Sequence, residues 1–193
     1  MFGRKKDPIR EIFSHIPELR TERLVLRAMR RGDWRDMYEY AKEPCVTKYL
    51  LWSEHESEEY TCRYLDYVVS RYRTAEFTDW AVTLKDTGKM IGTCGFTQID
   101  PDNGKAEIGY VLNPSYWGKG IAAEAVRAVI AFGFDTLLLN RIEAKFIKGN
   151  DRSLRVMEKC GMTFEGYQRD AMRIKGEFRT IGYCSLLRRE YNG

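Results

Sequence analysis

Within PSYWGKGIAAEAV, residues 114–126, two glycines flank a lysine just before apolar residues begin to recur at helical spacing. The first turn of a helix carries unpaired N–H groups and about half a positive charge, so it attracts a phosphate without help from a side chain. Gly118 and Gly120 remove Cβ atoms that would hold a ligand away or forbid a positive φ, and Lys119 adds a mobile cation. A tight turn with a solvated lysine is the competing reading, and for two glycines alone the better one. Other phosphate motifs fail: Lys119 is followed by glycine rather than Ser or Thr, no third glycine stands at dinucleotide spacing, and kinase signatures are missing.

The neighbouring elements place this turn. RLVLRAM (23–29) alternates as a strand. Asp33 opens a short amphipathic helix, WRDMYEYAKE, that stops at Pro44. Ser57 caps a helix with aromatic or apolar residues at 60, 64, 67, 68 and 72. WAVTL (80–84), MIGTCGFTQI (90–99) and AEIGYVL (106–112) then read as three strands joined by hairpin-type turns. A helix follows from Gly120 to about Leu137, with Ile121, Ala125, Val129 and Phe132 on one stripe. Next come a strand, RIEAKFI (141–147), and a short helix, DRSLRVMEKCG (151–161), closed by Gly161. Two long strands around Lys175-Gly176 end the pattern. The strands ending at Leu112 and starting at Arg141, joined by a helix, form a parallel β-α-β unit with a right-handed crossover. The glycine turn lies at the carboxyl end of its first strand, where open α/β sheets bind ligands.

The 193 residues suffice for one domain, with residues 1–20 reading as an N-terminal extension ended by Pro17. Composition is that of a globular protein, 44% hydrophobic and 31% charged. The net charge of +4 suits an anionic small ligand but is too weak and too interleaved to argue for direct nucleic-acid contact. Arg4-Lys5-Lys6 and Arg188-Arg189 read as solvated clusters near the termini. No signal peptide and no membrane-spanning apolar run is present, so a cytoplasmic location with no membrane partner is expected. Five scattered cysteines without a C-x-x-C pair read as reduced thiols, and two distant histidines argue against a metal centre.

AEIGYVLNPSYWGKGIAAEA, then NRIEAKF, then GNDRSLRVMEKCGMTFEG resemble the GNAT superfamily of acetyl-CoA-dependent N-acetyltransferases, in its RimJ/RimL-like branch. The likeness covers roughly residues 20–190 and implies a GNAT domain over 21–193. The implied α/β fold is a mixed, mostly antiparallel sheet whose central parallel pair splays into a V-shaped cleft, with helices on both faces. The family's pyrophosphate loop, Gln/Arg-x-x-Gly-x-Gly/Ala, matches Trp117-Gly118-Lys119-Gly120-Ile121-Ala122, with tryptophan at the first position. On that precedent the amides from Gly118 to Ala123 hold a diphosphate. The main chain of Tyr110, Val111 and Leu112 meets the pantetheine arm, Asn150 contacts that arm, and Ser153 lies near the cofactor sulfur.

The resemblance implies direct attack of an acceptor amine on the thioester of acetyl-CoA, with no covalent enzyme intermediate and no metal. The ammonium must lose a proton and the departing thiolate must gain or share one. Glu107 is the favoured base, working directly or through a water; a structural carboxylate paired with a neighbour such as Lys105 is the competing reading. Asp170 is the second choice, because it lies two residues from Met172, which aligns with a carboxylate of the branch. The family's usual acidic tyrosine falls on Met157, so Ser153 is named instead, against the alternative that it only caps its helix. Cys160 reads as a small core residue. Tyr60, Tyr64, Tyr67 and Tyr72, with Trp34, Trp52 and Trp80, read as core by default, and the loop of Trp52 as the place to seek specificity. The acceptor is a protein N-terminus or a small-molecule amine. A non-catalytic acyl-CoA-binding module and an RNA-associated basic protein are the alternatives, and monomer against homodimer stays open.

Overall fold

The strand signals are realised as β2 (Leu24–Arg27), β3 (Asp79–Leu84), β4 (Met90–Asp100), β5 (Lys105–Leu112), β6 (Arg141–Ile147), β7 (Thr163–Ile174) and β8 (Glu177–Leu187), preceded by a two-residue β1 (Leu19–Arg20), in a computed structural model that describes residues 8–192. They form one sheet in the order β1-β2-β3-β4-β5-β6-β8-β7. Every neighbouring pair is antiparallel except β5 and β6. The mixed α/β architecture expected from the sequence is therefore the observed one.

Two helical layers cover the sheet. On one face α5 (Ile121–Asp135) buries Ile121, Ala125, Val126, Val129 and Ile130 against Ile108, Leu112 and Ile142. The short α6 (Asp151–Lys159) adds Met157 to this layer. On the other face α2 (Trp34–Ala41) and α4 (Glu58–Tyr72) pack Met37, Tyr40, Leu65 and Val68 over Ala81 and Met90. Between them lies the single turn α3 (Pro44–Thr47): Pro44, expected to end a helix, opens one instead, a position that needs no N–H. A bidentate ion pair holds the end of β2, with Arg27 Nη1 and Nη2 donating to Asp33 at 2.8 and 2.7 Å.

The expected extension does not stand apart from this core. In α1 (Pro8–Phe13) the Phe13 ring is fully buried, with edge contacts to Trp80 at 5.7 Å and Phe132 at 6.1 Å. Trp80 Nε1 donates to the Pro17 carbonyl at 2.6 Å, and β1 pairs with β2. Packing thus continues through residue 20. Residues 1–7, including Arg4-Lys5-Lys6, lie outside the described residues. Among the described residues no helix is long and apolar enough to cross a membrane.

The aromatic stripe of α4 is core at Tyr72, as expected, half-buried at Tyr64 and corrected at Tyr60 and Tyr67. Its buried face is Thr61, Leu65, Val68 and Tyr72, while Tyr60 and Tyr67 are exposed. Towards the start of α4 the buried positions fall one step later than the rings, on Thr61 and Leu65, while Val68 and Tyr72 lie where the spacing placed them.

Candidate active site

Ladder pairing between β5 and β6 runs from Lys105↔Arg141 to Ile108↔Ala144 and stops. Beyond that point β5 stays paired with β4 as far as Leu112, and β6 stays paired with β8 as far as Ile147. The two central strands therefore part at Gly109, leaving a cleft in the sheet. Asn113 N–H donates to the Ile91 carbonyl at 2.8 Å, and the Val111 carbonyl faces Gly92 so closely that a Cβ there would sit 2.2 Å away. Antiparallel alternation then turns the backbone groups of Val111 to β4 and those of Tyr110 and Leu112 to the cleft. The Leu112 carbonyl is taken by the Trp117 indole N–H at 2.7 Å, which ties the loop to the strand end.

The loop from Pro114 is built to expose amides. Asn113 Oδ1 accepts from Ser115 N–H, and Asn113 Nδ2 donates to Glu39, so α2 braces the turn. Gly118 and Gly120 both adopt φ +75°, and Gly120, in the left-handed region, is the N-cap of α5. Having no side chain, Gly120 cannot cap the first-turn amides of α5. Glu124 of that turn points away, accepting from the Thr21 hydroxyl, the Arg23 N–H and the Arg23 guanidinium; burial works against its charge, but these donors hold its carboxyl below the ordinary range. The Lys119 carbonyl accepts from Arg23 at 3.0 Å while its ammonium lies over the Tyr116 ring.

A cavity of about 990 Å3 runs along this loop. Its walls include Tyr110, Val111, Leu112, Trp117, Gly118, Gly120, Ile121, Ala122, Ala123, Asn150 and Ser153. Lys119, expected among them, is not on its wall. Lys48, Arg152, Arg155 and Lys159 are, and they make the site cationic where sequence spacing gave no signal. Arg152 stacks on Trp117 with its guanidinium 4.8 Å from the ring centre.

Asn150 is the N-cap of α6, accepting from Ser153 N–H at 3.3 Å. The cap is thus the asparagine and not Ser153, whose hydroxyl is free to turn to the Tyr110 phenol at 2.8 Å. The phenol donates to the Ser153 carbonyl at 3.0 Å, and burial raises its pKa, so it stays protonated. Tyr110 was expected to act through its main chain; its hydroxyl beside Ser153 is the feature that spacing could not reveal. Met157 is buried, as is the Cys160 thiol, pushed up to about 11 by that burial.

A second cavity, of about 450 Å3, opens on the opposite face of the sheet, between α2, α4 and the Trp52 loop. It shares Tyr49, Leu50, Tyr110, Val111, Asn150 and Ser153 with the first, so the two meet at the parted strands. Glu107 stands on its wall, ion-paired with Lys145 rather than Lys105 and accepting from Thr97 Oγ1 at 3.1 Å. Burial lowers the Lys145 pKa but its bond to Glu107 outweighs this, keeping the ammonium charged. His55, also on the wall, bonds Thr61 Oγ1 at 2.9 Å and is held below the usual histidine range by desolvation, hence neutral. Trp52 packs 5.4 Å from His55, and Tyr60 and Tyr64 complete an aromatic rim.

Asp170 does not join this group. It is exposed, at φ +50°, inside the irregular stretch between Gln168 and Met172 where β7 loses register with β8. The bulge breaks the period-two geometry expected to align it with Met172, which does line the second cavity. Asp79, passed over in the sequence, lies on that cavity's wall with Oδ1 buried and unpartnered, and burial pushes its carboxyl up to about 7.

Comparison with known proteins agrees with this geometry. Residues 23–163 match the family model described as an acetyltransferase (GNAT) domain. The chain is 38% identical over 175 residues, 91% of its length and 98% of the relative's, to an uncharacterized N-acetyltransferase, p20, of Bacillus licheniformis. A GNAT-family acetyltransferase structure from Bacillus anthracis superposes with TM-score 0.80 at 30% identity, covering 90% of this chain and all of that one. A spermidine N-acetyltransferase from Vibrio cholerae, solved with CoA and spermine, shares the fold at TM-score 0.75 and 21% identity, over 90% of this chain and 100% of that one. The chain belongs to the GNAT family of N-acetyltransferases.

Proposed function

We propose that the protein transfers an acetyl group from acetyl-CoA to the primary amine of a small molecule, by direct attack of the amine on the thioester. The observation that carries this reading is the meeting of the two cavities at Tyr110, Val111, Asn150 and Ser153, where the sheet parts. The larger, cationic cavity fits a diphosphate and an extended arm. Uncapped amides at the start of α5 face it, and Tyr110 offers strand-like hydrogen bonds to the cleft. The smaller, aromatic-rimmed second cavity suits a small amine better than a folded protein terminus. The amine that the Vibrio cholerae enzyme is named for points the same way.

Acetyl-CoA supplies the acetyl group as a thioester. On this reading Gly118 to Ala123 bind the diphosphate, and Tyr110 and Leu112 orient the arm. Glu107 accepts the proton that the acceptor ammonium must lose, directly or through a water, while its ion pair with Lys145 holds the carboxylate in place. The Tyr110–Ser153 hydroxyl pair supplies the proton on the sulfur side. Free thiol should appear from acetyl-CoA only when an acceptor is added. A panel of diamines, amino acids, aminoglycosides and N-terminal peptides tests this. Stabilisation by CoA without turnover of any amine would leave only a binding module.

A further inference from the structure

Asp79 has no part in the chemistry above, yet it is a carboxylate on the acceptor cavity without a partner. Of the acidic residues on that wall, Glu107 is committed to Lys145 and Thr97, while Asp79 Oδ1 is buried and makes no hydrogen bond. A second orphan faces the same space: the hydroxyl of Tyr40, also buried and unpartnered. Two such atoms on one wall are unusual, since buried polar groups are almost always satisfied by protein, water or ligand. Aromatic rings of Tyr64 and Phe77 complete the surroundings.

Position in the sheet gives the pair a geometry. Asp79 on β3 lies opposite Gly95 on β4, which lies opposite Gly109 on β5. Directly opposed residues project from the same face, so the row between Asp79 and the point where β5 leaves β6 carries two glycines, with only the Thr97 methyl leaning over Gly109. Gly95 cannot be larger: a Cβ there would meet the Asp79 carboxylate and Cα at 2.4 Å. The result is a row two strand spacings long, about 10 Å, with no side chain of its own at either glycine, although the Thr97 methyl overhangs Gly109 and the Asp79 carboxylate overhangs Gly95. One end is at the parted strands, the other at an unpaired carboxylate beside aromatic rings.

We propose that Asp79 anchors a second cationic nitrogen of the acceptor, so that the preferred substrate is a diamine lying in the second cavity above the Gly95–Gly109 row, with its far ammonium on Asp79 and its near amine at the cleft. This rests on the protein being an amine acetyltransferase. A carboxylate and aromatic faces both favour an ammonium, and both strengthen when water is excluded. An acceptor with one nitrogen would leave the carboxylate unsatisfied, so the site selects against it.

The test compares α,ω-diaminoalkanes, from diaminobutane to diaminodecane, with octylamine as acceptors for the full-length protein and for Asp79→Asn and Tyr40→Phe. The wild type is expected to prefer a diamine of intermediate length. Asp79→Asn should collapse that preference by about ten- to hundredfold in kcat/KM, chiefly through KM, and Tyr40→Phe by a smaller factor in the same direction. The CoA affinity of Asp79→Asn should stay at the wild-type value, which also reports that the variant folds. A diamine preference that survives Asp79→Asn overturns the proposal, as does an equal loss for diamines and octylamine, which would put Asp79 at the reacting nitrogen. Should the wild type turn over no amine, the catalytic reading fails separately. Asp79 is then read by calorimetry of diaminooctane on the CoA-saturated protein, where equal affinity of wild type and variant rejects it.

Discussion

Replacing Asp79 by asparagine should stabilise the fold, and by an amount that depends on pH in a fixed direction. Burial raises this carboxyl from 3.8 to about 7, so the native state holds the proton more tightly than the unfolded chain does. For a group raised in this way, stability is full below the unfolded value, falls as pH climbs towards 7 and is flat above it. A span of about three pH units at roughly 1.4 kcal/mol each gives a ceiling of about 4 kcal/mol. Solvent entering through the cavity mouth lowers the real figure, because Asp79 is only partly buried as a residue although its Oδ1 is sealed. The assay is urea unfolding of wild type and Asp79→Asn at about pH 4 and about pH 8, compared as the difference of differences. The variant should gain one to several kcal/mol at the higher pH, on the order of the ceiling, and almost nothing at the lower. The same difference at both pH values would refute the reasoning, since it would mean that the carboxyl ionises as freely in the fold as in the unfolded chain.

Other expectations follow from the same contacts. Gly120→Asp keeps a residue type that tolerates the left-handed region, so the fold should survive at a cost of about 1 kcal/mol; calorimetry should find CoA binding abolished, because a carboxylate now stands at the α5 amides. Glu107→Gln should lower kcat by about a hundredfold or more, with partial rescue as rising pH deprotonates the amine in solution; a pH–rate profile checks this, and a deficit that is flat across pH would move the role elsewhere. Asp170→Asn, at an exposed bulge, should leave kcat within about twofold of wild type in the same profile. Asp33→Ala strands the largely buried Arg27 guanidinium and should cost roughly 3–5 kcal/mol in denaturant unfolding.

What the sequence made legible was local. Gly118 and Gly120 could be read because a positive φ before a helix is a backbone demand that glycine answers, and β6 (Arg141–Ile147) could be read because its period is unbroken. The parallel pair followed from a helix lying between two strands. Legibility ended where distant segments had to meet. Tyr110 and Ser153 are 43 residues apart and nothing in either neighbourhood marks the contact. Asp79 looks like an ordinary polar residue before a strand; its burial comes from α2 and α4 above it and from Gly95 beside it. Phe13 looked like part of an appendage because only Trp80, Phe96 and Phe132 make it core. The bulge that exposes Asp170 leaves no trace in a period-two reading.

The most direct measurement is a structure of the protein with CoA bound. The diphosphate should lie within hydrogen-bonding distance of the N–H groups between Gly118 and Ala123, with the arm entering the sheet between Gly109–Leu112 and the end of β6. A nucleotide held elsewhere, with that bend filled by the protein's own side chains, would contradict the account.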